Sequence, residues 1–264
     1  MSKYVFTICG RAGSKGILGK NSSVFLDIPL LYYTLGVIEL YKAAHPEDDI
    51  TLLLNTDSVD LKELMDASGV EYTFVPRSEE LAGDSIGKVE VIRESYRSIK
   101  KDGVFYDAVV DFDLTSPLRT LNDLEYLLSK RNSSKTGVVF TVVSSRRNPY
   151  FNMVEQNPDG TCSKVIDFEC TARQQAPNVY DMNASMYAYS IDFLEEEKQM
   201  FDEPCDFVEM YDTAILDLDH PDDLELMQVI ATYLFKKNAK MNDVRTAARS
   251  IEDLRLSRHA SQSL

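Results

Sequence analysis

Tyr4-Val5-Phe6-Thr7-Ile8-Cys9 runs straight into Gly10-Arg11-Ala12-Gly13-Ser14-Lys15-Gly16, and Lys20-Asn21 follow shortly after. An apolar strand leads here into a loop of glycines, a serine and basic side chains. Small residues let a backbone approach a phosphate closely, and successive N–H groups can point at its oxygens. Arg11, Lys15 and Lys20 would supply positive charge in a chain whose net charge is −15. The combination reads as a triphosphate cradle, with a tight surface turn carrying solvated charges as the competing reading. Two other phosphate loops fail on spacing. A Walker A loop needs Gly-x-x-x-x-Gly-Lys-Ser/Thr, but Gly19-Lys20 is followed by Asn21. The dinucleotide fingerprint needs Gly-x-Gly-x-x-Gly, but Gly10, Gly13 and Gly16 are each three apart.

Outward from this strand, apolar runs alternate with helical periodicity. Strands are expected at 4–9, 50–54, 71–75, 106–112 and 137–143, and helices at Leu30–Ala44, 58–68, 85–100 and 121–130. That alternation implies βαβ units and an α/β fold with a mostly parallel sheet, covered by helices on both faces. Ligands of such sheets sit beyond the carboxyl ends of the strands, where the 10–20 loop, Asp57 and the segment from Asp111 all fall. From about 144 to 180 the pattern changes to short strands at 150–155 and 163–168, broken by Asn157-Pro158-Asp159-Gly160, a turn signal. This reads as an antiparallel excursion. Strands are expected again at 183–189 and 214–218, and an amphipathic helix at 222–237. The division is therefore 1–239 as the main domain and 240–264 as a helical or frayed tail, rich in arginine and poor in large apolar residues, to which no function is assigned.

Composition narrows the function. The 264 residues suffice for one large domain, and 44% hydrophobic content can build a full core. A net charge of −15 argues against nucleic acid or an anionic membrane as partner. The sequence shows neither an apolar run of about 18 residues nor a signal-peptide pattern, so a cytoplasmic protein is expected. Cys9, Cys162, Cys170 and Cys205 form no C-x-x-C pair and read as free thiols.

Ile215-Leu216-Asp217-Leu218-Asp219 alternates like a strand, which puts Asp217 and Asp219 on one face. Two adjacent carboxylates repel unless a cation lies between them, and hard oxygen ligands suit Mg²⁺, which also takes phosphate oxygens. Alternatively, Asp219 caps the helix starting near Pro221 and Asp217 is solvated.

Five segments together resemble one family, the cytidylyltransferases that activate nonulosonic sugar acids, also called CMP-sialic acid synthetases. They are Arg11 to Gly16 with Lys20-Asn21; Arg77-Ser78-Glu79-Glu80-Leu81-Ala82-Gly83-Asp84; Thr115-Ser116-Pro117-Leu118-Arg119-Thr120; Arg173-Gln174-Gln175 with Asn183-Ala184-Ser185-Met186-Tyr187; and Asp217-Leu218-Asp219. They stand in the family's order and span most of 4–235. The resemblance implies a Rossmann-like nucleotide-diphospho-sugar transferase fold and a homodimer. In that dimer 144–180 would be the dimerisation arm, and Arg173 would reach the partner's site. It also implies a direct transfer of CMP from CTP to the sugar acid, with release of pyrophosphate. Arg11, Gly13, Ser14, Lys15 and Lys20 would hold the CTP phosphates. Asn21, Arg77, Ala82 and Asp84 would lie around cytosine and ribose, Asp217 and Asp219 would hold Mg²⁺, and Arg11, Lys15, Lys20 and the two aspartates would carry the chemistry. Asp113, Thr115, Ser116, Arg173, Gln174, Asp181, Asn183 and Tyr187 would face the sugar.

The chain departs from the family's usual pattern on the sugar side. Asp113-Leu114 replaces Gln-Pro, Asp181 stands where a basic residue is usual, and Phe151 falls near a lysine position. The nucleotide side is spared, which argues for the same reaction on a different sugar acid. Arg147-Asn148-Pro149-Tyr150-Phe151-Asn152 and Tyr180-Asp181-Met182-Asn183-Ala184-Ser185 look like the branch acting on legionaminic acid. Acidic side chains would suit the hydrogen-bond donors of such a sugar. N-acetylneuraminate, pseudaminate, 3-deoxy-octulosonate and a non-catalytic CTP-binding role are the alternatives. Residue by residue, Tyr187 also reads as a core aromatic, Arg119 as a structural ion-pair partner and Asp113 as a turn cap.

Overall fold

A strand with apolar residues at nearly every position has to be covered on both faces, and the first strand meets that demand at the centre of the sheet. The computed structural model describes residues 1–13, 19–83, 86–212, 218 and 220–262. Strand β1 (Lys3–Gly10) leads through the hairpin β2 (Val24–Phe25) and β3 (Ile28–Pro29) into α1 (Leu30–Ala44). Next come β4 (Asp49–Thr56), α2 (Val59–Ser68), β5 (Thr73–Pro76), α3 (Lys88–Ile99), β6 (Ala108–Phe112), α4 (Leu121–Ser133) and β7 (Val138–Ser144). A small antiparallel hairpin, β8 (Val154–Gln156) and β9 (Cys162–Lys164), precedes β10 (Tyr180–Tyr189), α5 (Ile191–Glu195), β11 (Asp206–Glu209), α6 (Pro221–Lys237) and α7 (Ala239–Gln262).

Among the described residues the main sheet has seven strands in the order β11-β7-β10-β6-β1-β4-β5. All neighbours are parallel except β10, which runs antiparallel to both β6 and β7. The chain builds outward from β1 through β4 to β5, then returns to lay β6 on the other side of β1. Strand order therefore reverses between β1 and β6, the kind of switch point at which α/β sheets open a crevice. Tyr4, Phe6 and Ile8 pack with Val110, Phe112 and the α1 face in one core cluster. Val5 packs with Leu53, Val109, Tyr187 and Tyr189 beneath α3 and α5 in the other. The period of two thus divides β1 and β6 between two cores, and places Asp111 on the α3 side.

The antiparallel excursion is present as the β8–β9 hairpin, shorter than the sequence suggested. Helix α3 starts at Lys88 behind an N-cap at Gly87, three residues later than expected from periodicity, and Asp84 and Ser85 lie outside the described residues. The strand expected at 214–218 falls outside them too, apart from Leu218, which is buried. Strand β11 and helix α5 were not anticipated, because each is only four or five residues long.

The C-terminal stretch is a 24-residue helix, and Met241, Val244, Ala248 and Ile251 belong to the same hydrophobic cluster as α1. Its few apolar residues are small or thinly spaced, which lets α7 lie close to α1 at Gly36. A Cβ on Gly36 would stand 3.0 Å from the Val244 carbonyl and 3.1 Å from the Ala248 amide. Backbone atoms on both sides cannot yield as a side chain would. Gly36→Val is expected to destabilise the protein by about 1–3 kcal/mol through overpacking, read from urea unfolding; unchanged stability would show that α7 does not pack this closely.

Candidate active site

The carboxyl ends of β1, β4 and β5 carry the described residues expected on the nucleotide side. Gly10 ends β1 opposite Thr56, and Thr56 stands opposite Pro76. A Cβ on Gly10 would meet Leu61 Cδ2 at 2.5 Å, so this position stays bare to let α2 close against the strand end. The loop beyond is tied at its start. Ala12 N–H donates to Asp57 Oδ1 (2.8 Å), and the Asn21 amide donates to the Arg11 carbonyl (3.0 Å). Gly19 re-enters with φ +66°, a left-handed turn that glycine takes without strain, into a single 3₁₀ turn at Lys20–Ser22. The Ser22 and Ser23 hydroxyls both donate to the Gly19 carbonyl. Ser14, Lys15 and Asp84 lie outside the described residues, as do Asp217 and Asp219.

Arg77 follows β5 directly. Its Nε donates to Asn55 Oδ1 at 2.8 Å, which aims the guanidinium across the end of β4. Asn55 is buried and was missed by sequence reasoning, which took the 50–54 run as complete one residue earlier. Ala82 ends a 3₁₀ turn at Glu80–Ala82.

At the end of β6 the structure assembles a charged cluster. Lys88 Nζ lies 2.8 Å from Asp111 Oδ2 and 2.8 Å from Asp113 Oδ2. Asp111 is fully buried, and its Oδ1 accepts from the Thr7 hydroxyl at 2.8 Å. Asp113 Oδ1 accepts from both the Thr115 N–H (2.9 Å) and the Thr115 hydroxyl (2.8 Å). Burial pushes the Asp113 carboxyl up, but the Lys88 charge and the Thr115 donors outweigh it and hold the group below the usual carboxylate range. Burial likewise pushes Lys88 down, and the two aspartates overcome it and hold the ammonium well above its ordinary value. A carboxylate so placed stays ionised and is poorly suited to accept a proton at neutral pH.

Arg119 is also buried. It donates to the Ser185 carbonyl (2.8 Å), to Thr34 Oγ1 (3.3 Å) and to the Asp113 carbonyl. Burial lowers it to about 10, with Asp113, Asp111 and Asp123 opposing. Its work is to hold the loop after β6 against β10, rather than to pair directly with a carboxylate.

Strand β10 bulges between Met182 and Tyr187, with Ala184 at φ +50°. Asn183 is spent on this bulge: its Oδ1 accepts from the Thr141 hydroxyl (2.7 Å) and from Ser185 N–H (3.3 Å), and its amide donates to Met210 Sδ. Tyr187 is packed in the α3-side core between Phe140 and Tyr189, with Lys88 Nζ 5.6 Å from its ring centroid. Asp181 is exposed opposite Val143. Arg173 donates to the Ser145 carbonyl at 2.8 Å and, with Gln174, Asn148, Tyr180 and Glu209, lines a cavity of about 360 Å³ at the base of the excursion.

Asp113 and Thr115 are thus in direct contact, Asn183 shapes the backbone, and Arg173 and Gln174 stand apart on the excursion. Sequence reasoning missed Lys88, and marked Asp111 only as the start of a segment at a strand's carboxyl end. Both left a signal: a lysine in the first helical turn opposes the helix dipole, and an aspartate interrupts an otherwise apolar buried strand.

No protein-family model matches the chain. It is 30% identical over 244 residues to post-translational flagellin modification protein B of Campylobacter coli, covering 92% of this chain and 100% of that one. It is 30% identical over 232 residues to CMP-N,N'-diacetyllegionaminic acid synthase of Campylobacter jejuni, covering 87% and 95%. A solved CMP:2-keto-3-deoxy-manno-octonic acid synthetase complexed with CTP superposes with a TM-score of 0.63 at 16% identity, over 88% of this chain and 99% of the other. A 4-diphosphocytidyl-2C-methyl-D-erythritol synthase from Anaerococcus prevotii gives 0.58 at 14% identity, over 87% and 99%. The structural likenesses agree with a nucleotide-diphospho-sugar transferase fold, and the two sequence relatives, matched almost end to end, carry the conclusion further: the chain is a nucleotidyltransferase and belongs to the acylneuraminate cytidylyltransferase, or CMP-sialic acid synthetase, family.

Proposed function

We propose that this protein transfers CMP from CTP to a nine-carbon nonulosonic acid of the legionaminic type and releases pyrophosphate. The observation that carries the reading is the division at the switch point. The loop, Asn21 and Arg77 keep the family's residues on the nucleotide side. The sugar side is rebuilt around Asp113, with Lys88 and Thr115 bonded to it. The legionaminic acid relative named above supports the same substrate class.

In this reading the anomeric hydroxyl oxygen attacks the α-phosphorus of CTP. A C–O–P bond forms, the bond from the α-phosphorus to pyrophosphate breaks, and the hydroxyl proton leaves to solvent. The protein chiefly positions two anions and neutralises charge. Arg11, Ser14, Lys15 and Lys20, with the amide of Gly13, grip the phosphates and stabilise the leaving pyrophosphate. Asn21, Arg77, Ala82 and Asp84 surround the nucleoside. Asp217 and Asp219 would hold Mg²⁺, which supplies charge neutralisation at the phosphates when bound. Asp113, Thr115, Ser116, Asp181 and Tyr187 form the sugar side. The 144–180 segment is the arm of a homodimer, across which Arg173 and Gln174 serve the partner's site. Exposed Met153, Val154, Val165 and Ile166 on that segment fit a surface that a second copy covers. The enzyme works in the cytoplasm, where CTP is made.

Pyrophosphate release should be fastest with N,N'-diacetyllegionaminic acid when it is compared with N-acetylneuraminic, pseudaminic and 3-deoxy-octulosonic acids. Preference for another nine-carbon acid would reassign the sugar, and CTP binding without release would favour a non-catalytic role. Asp217→Asn should cut turnover by at least about a hundredfold; near-normal rates at saturating Mg²⁺ would remove the metal role. Arg77→Met should raise the KM for CTP about tenfold through loss of a charge-assisted contact, with the KM for the sugar acid little changed.

A further inference from the structure

The proposed function gives Asp113 a place on the sugar side and gives Lys88 none. Lys88 opens α3, at the positive end of the helix, where a cation is disfavoured. What holds it there is the pair of carboxylates, each 2.8 Å from Nζ. Asp111 is completely enclosed, whereas the side chains of Asp113 and Lys88 keep 25% and 34% of their exposure. The open members of the cluster are therefore Lys88 and Asp113, and they lie at the switch point beside the nucleotide loop. A carboxylate offers about four acceptor positions. On Asp113, the Thr115 N–H, the Thr115 hydroxyl and the Lys88 ammonium take three.

We propose that Lys88 is a positioning residue of the sugar site. It fixes the Asp113 carboxylate so that the remaining acceptor position takes a hydroxyl or amide N–H of the sugar acid. Its ammonium also offsets part of the repulsion that two neighbouring carboxylates would offer an anionic substrate. Thr115 sets the carboxylate from the other side, and Arg119 holds the backbone of Asp113, so the aspartate is gripped at three points, with the Lys88 ammonium supplying compensating charge at its head. The proposal rests on the reading of the chain as a cytidylyltransferase for a nonulosonic acid.

The test is steady-state kinetics on the full-length chain with CTP and the preferred sugar acid, for wild type, Lys88→Met, Asp113→Asn and the double variant. Lys88→Met should raise the sugar KM about tenfold, leave the CTP KM within about twofold, and be non-additive with Asp113→Asn, as expected when one residue acts through the other. Additive losses, equal rises in both KM values, or an unchanged sugar KM would overturn the proposal. If Lys88→Met does not fold, the same variants are made on Asp111→Leu, which removes the enclosed carboxylate that the lysine would strand; the same outcomes then decide. Wild-type protein that releases no pyrophosphate with any of the acids would overturn the functional reading, and this proposal with it.

Discussion

Everything in this molecule hangs on a parallel strand that must be buried on both faces. Because β1 sits between β6 and β4, its two faces cannot both be covered by one layer of helices. The chain therefore places α1 against Tyr4, Phe6 and Ile8, and α3 against Val5. Covering β1 in this way forces the reversal of strand order beside it, and the reversal opens the crevice. The site is a consequence of the topology rather than an addition to it. The loop read as nucleotide-binding leaves β1 and the loop read as sugar-binding leaves β6, so on the proposed function the two halves of the reaction would meet where those two strands are neighbours.

The same constraint explains the most expensive residue in the core. Asp111 faces α3 from the carboxyl end of β6, at a fully buried position. An isolated carboxylate there would be untenable. Thr7 from β1 and Lys88 from α3 supply the partners, one from each neighbouring element. Breaking a buried ion pair costs about 3–5 kcal/mol, and the partial exposure of Lys88 moves this pair toward the lower end. The cluster ties α3 to the carboxyl end of β6, and so fixes the distance between the two loops that face the substrates.

Much of this was legible from the sequence. Alternating strands and helices gave the fold class, because each apolar run is long enough to carry its period. The loop after Gly10 stood out in the sequence by its glycines and basic side chains, whereas the segment around Thr115 came forward only through the family resemblance. Three features were not legible. Helix α7 presents small or scattered apolar residues, so its close packing on Gly36 leaves no amphipathic signature. Strand β11 is short and lies at the sheet edge, where half its side chains are exposed. The Lys88–Asp111–Asp113 cluster joins residues up to 25 positions apart, and only the packing of α3 on β6 brings them together. Asn183 is the instructive case among the expected sugar-side residues: its side chain is consumed by Thr141, Ser185 and Met210. A motif residue can thus belong to a site by shaping its backbone.

The two sides of the crevice differ in what holds them. The proposed nucleotide side, where it is described, is built largely from backbone: a glycine against which the Leu61 side chain closes, a glycine with positive φ, and N–H groups and carbonyls tied by Asp57 and Asn21. Such a loop cannot change its residues without changing its path. The sugar side is built from side chains hung on the ends of β6 and β10, with Arg119 holding the loop to the bulge from beneath. Here a charged cluster can replace a neutral amide and leave the sheet register untouched, provided that the new charges balance one another. On the proposed reading, departures from the family pattern gather on the sugar side for this physical reason, and the Lys88 ammonium lets two aspartates stand side by side there.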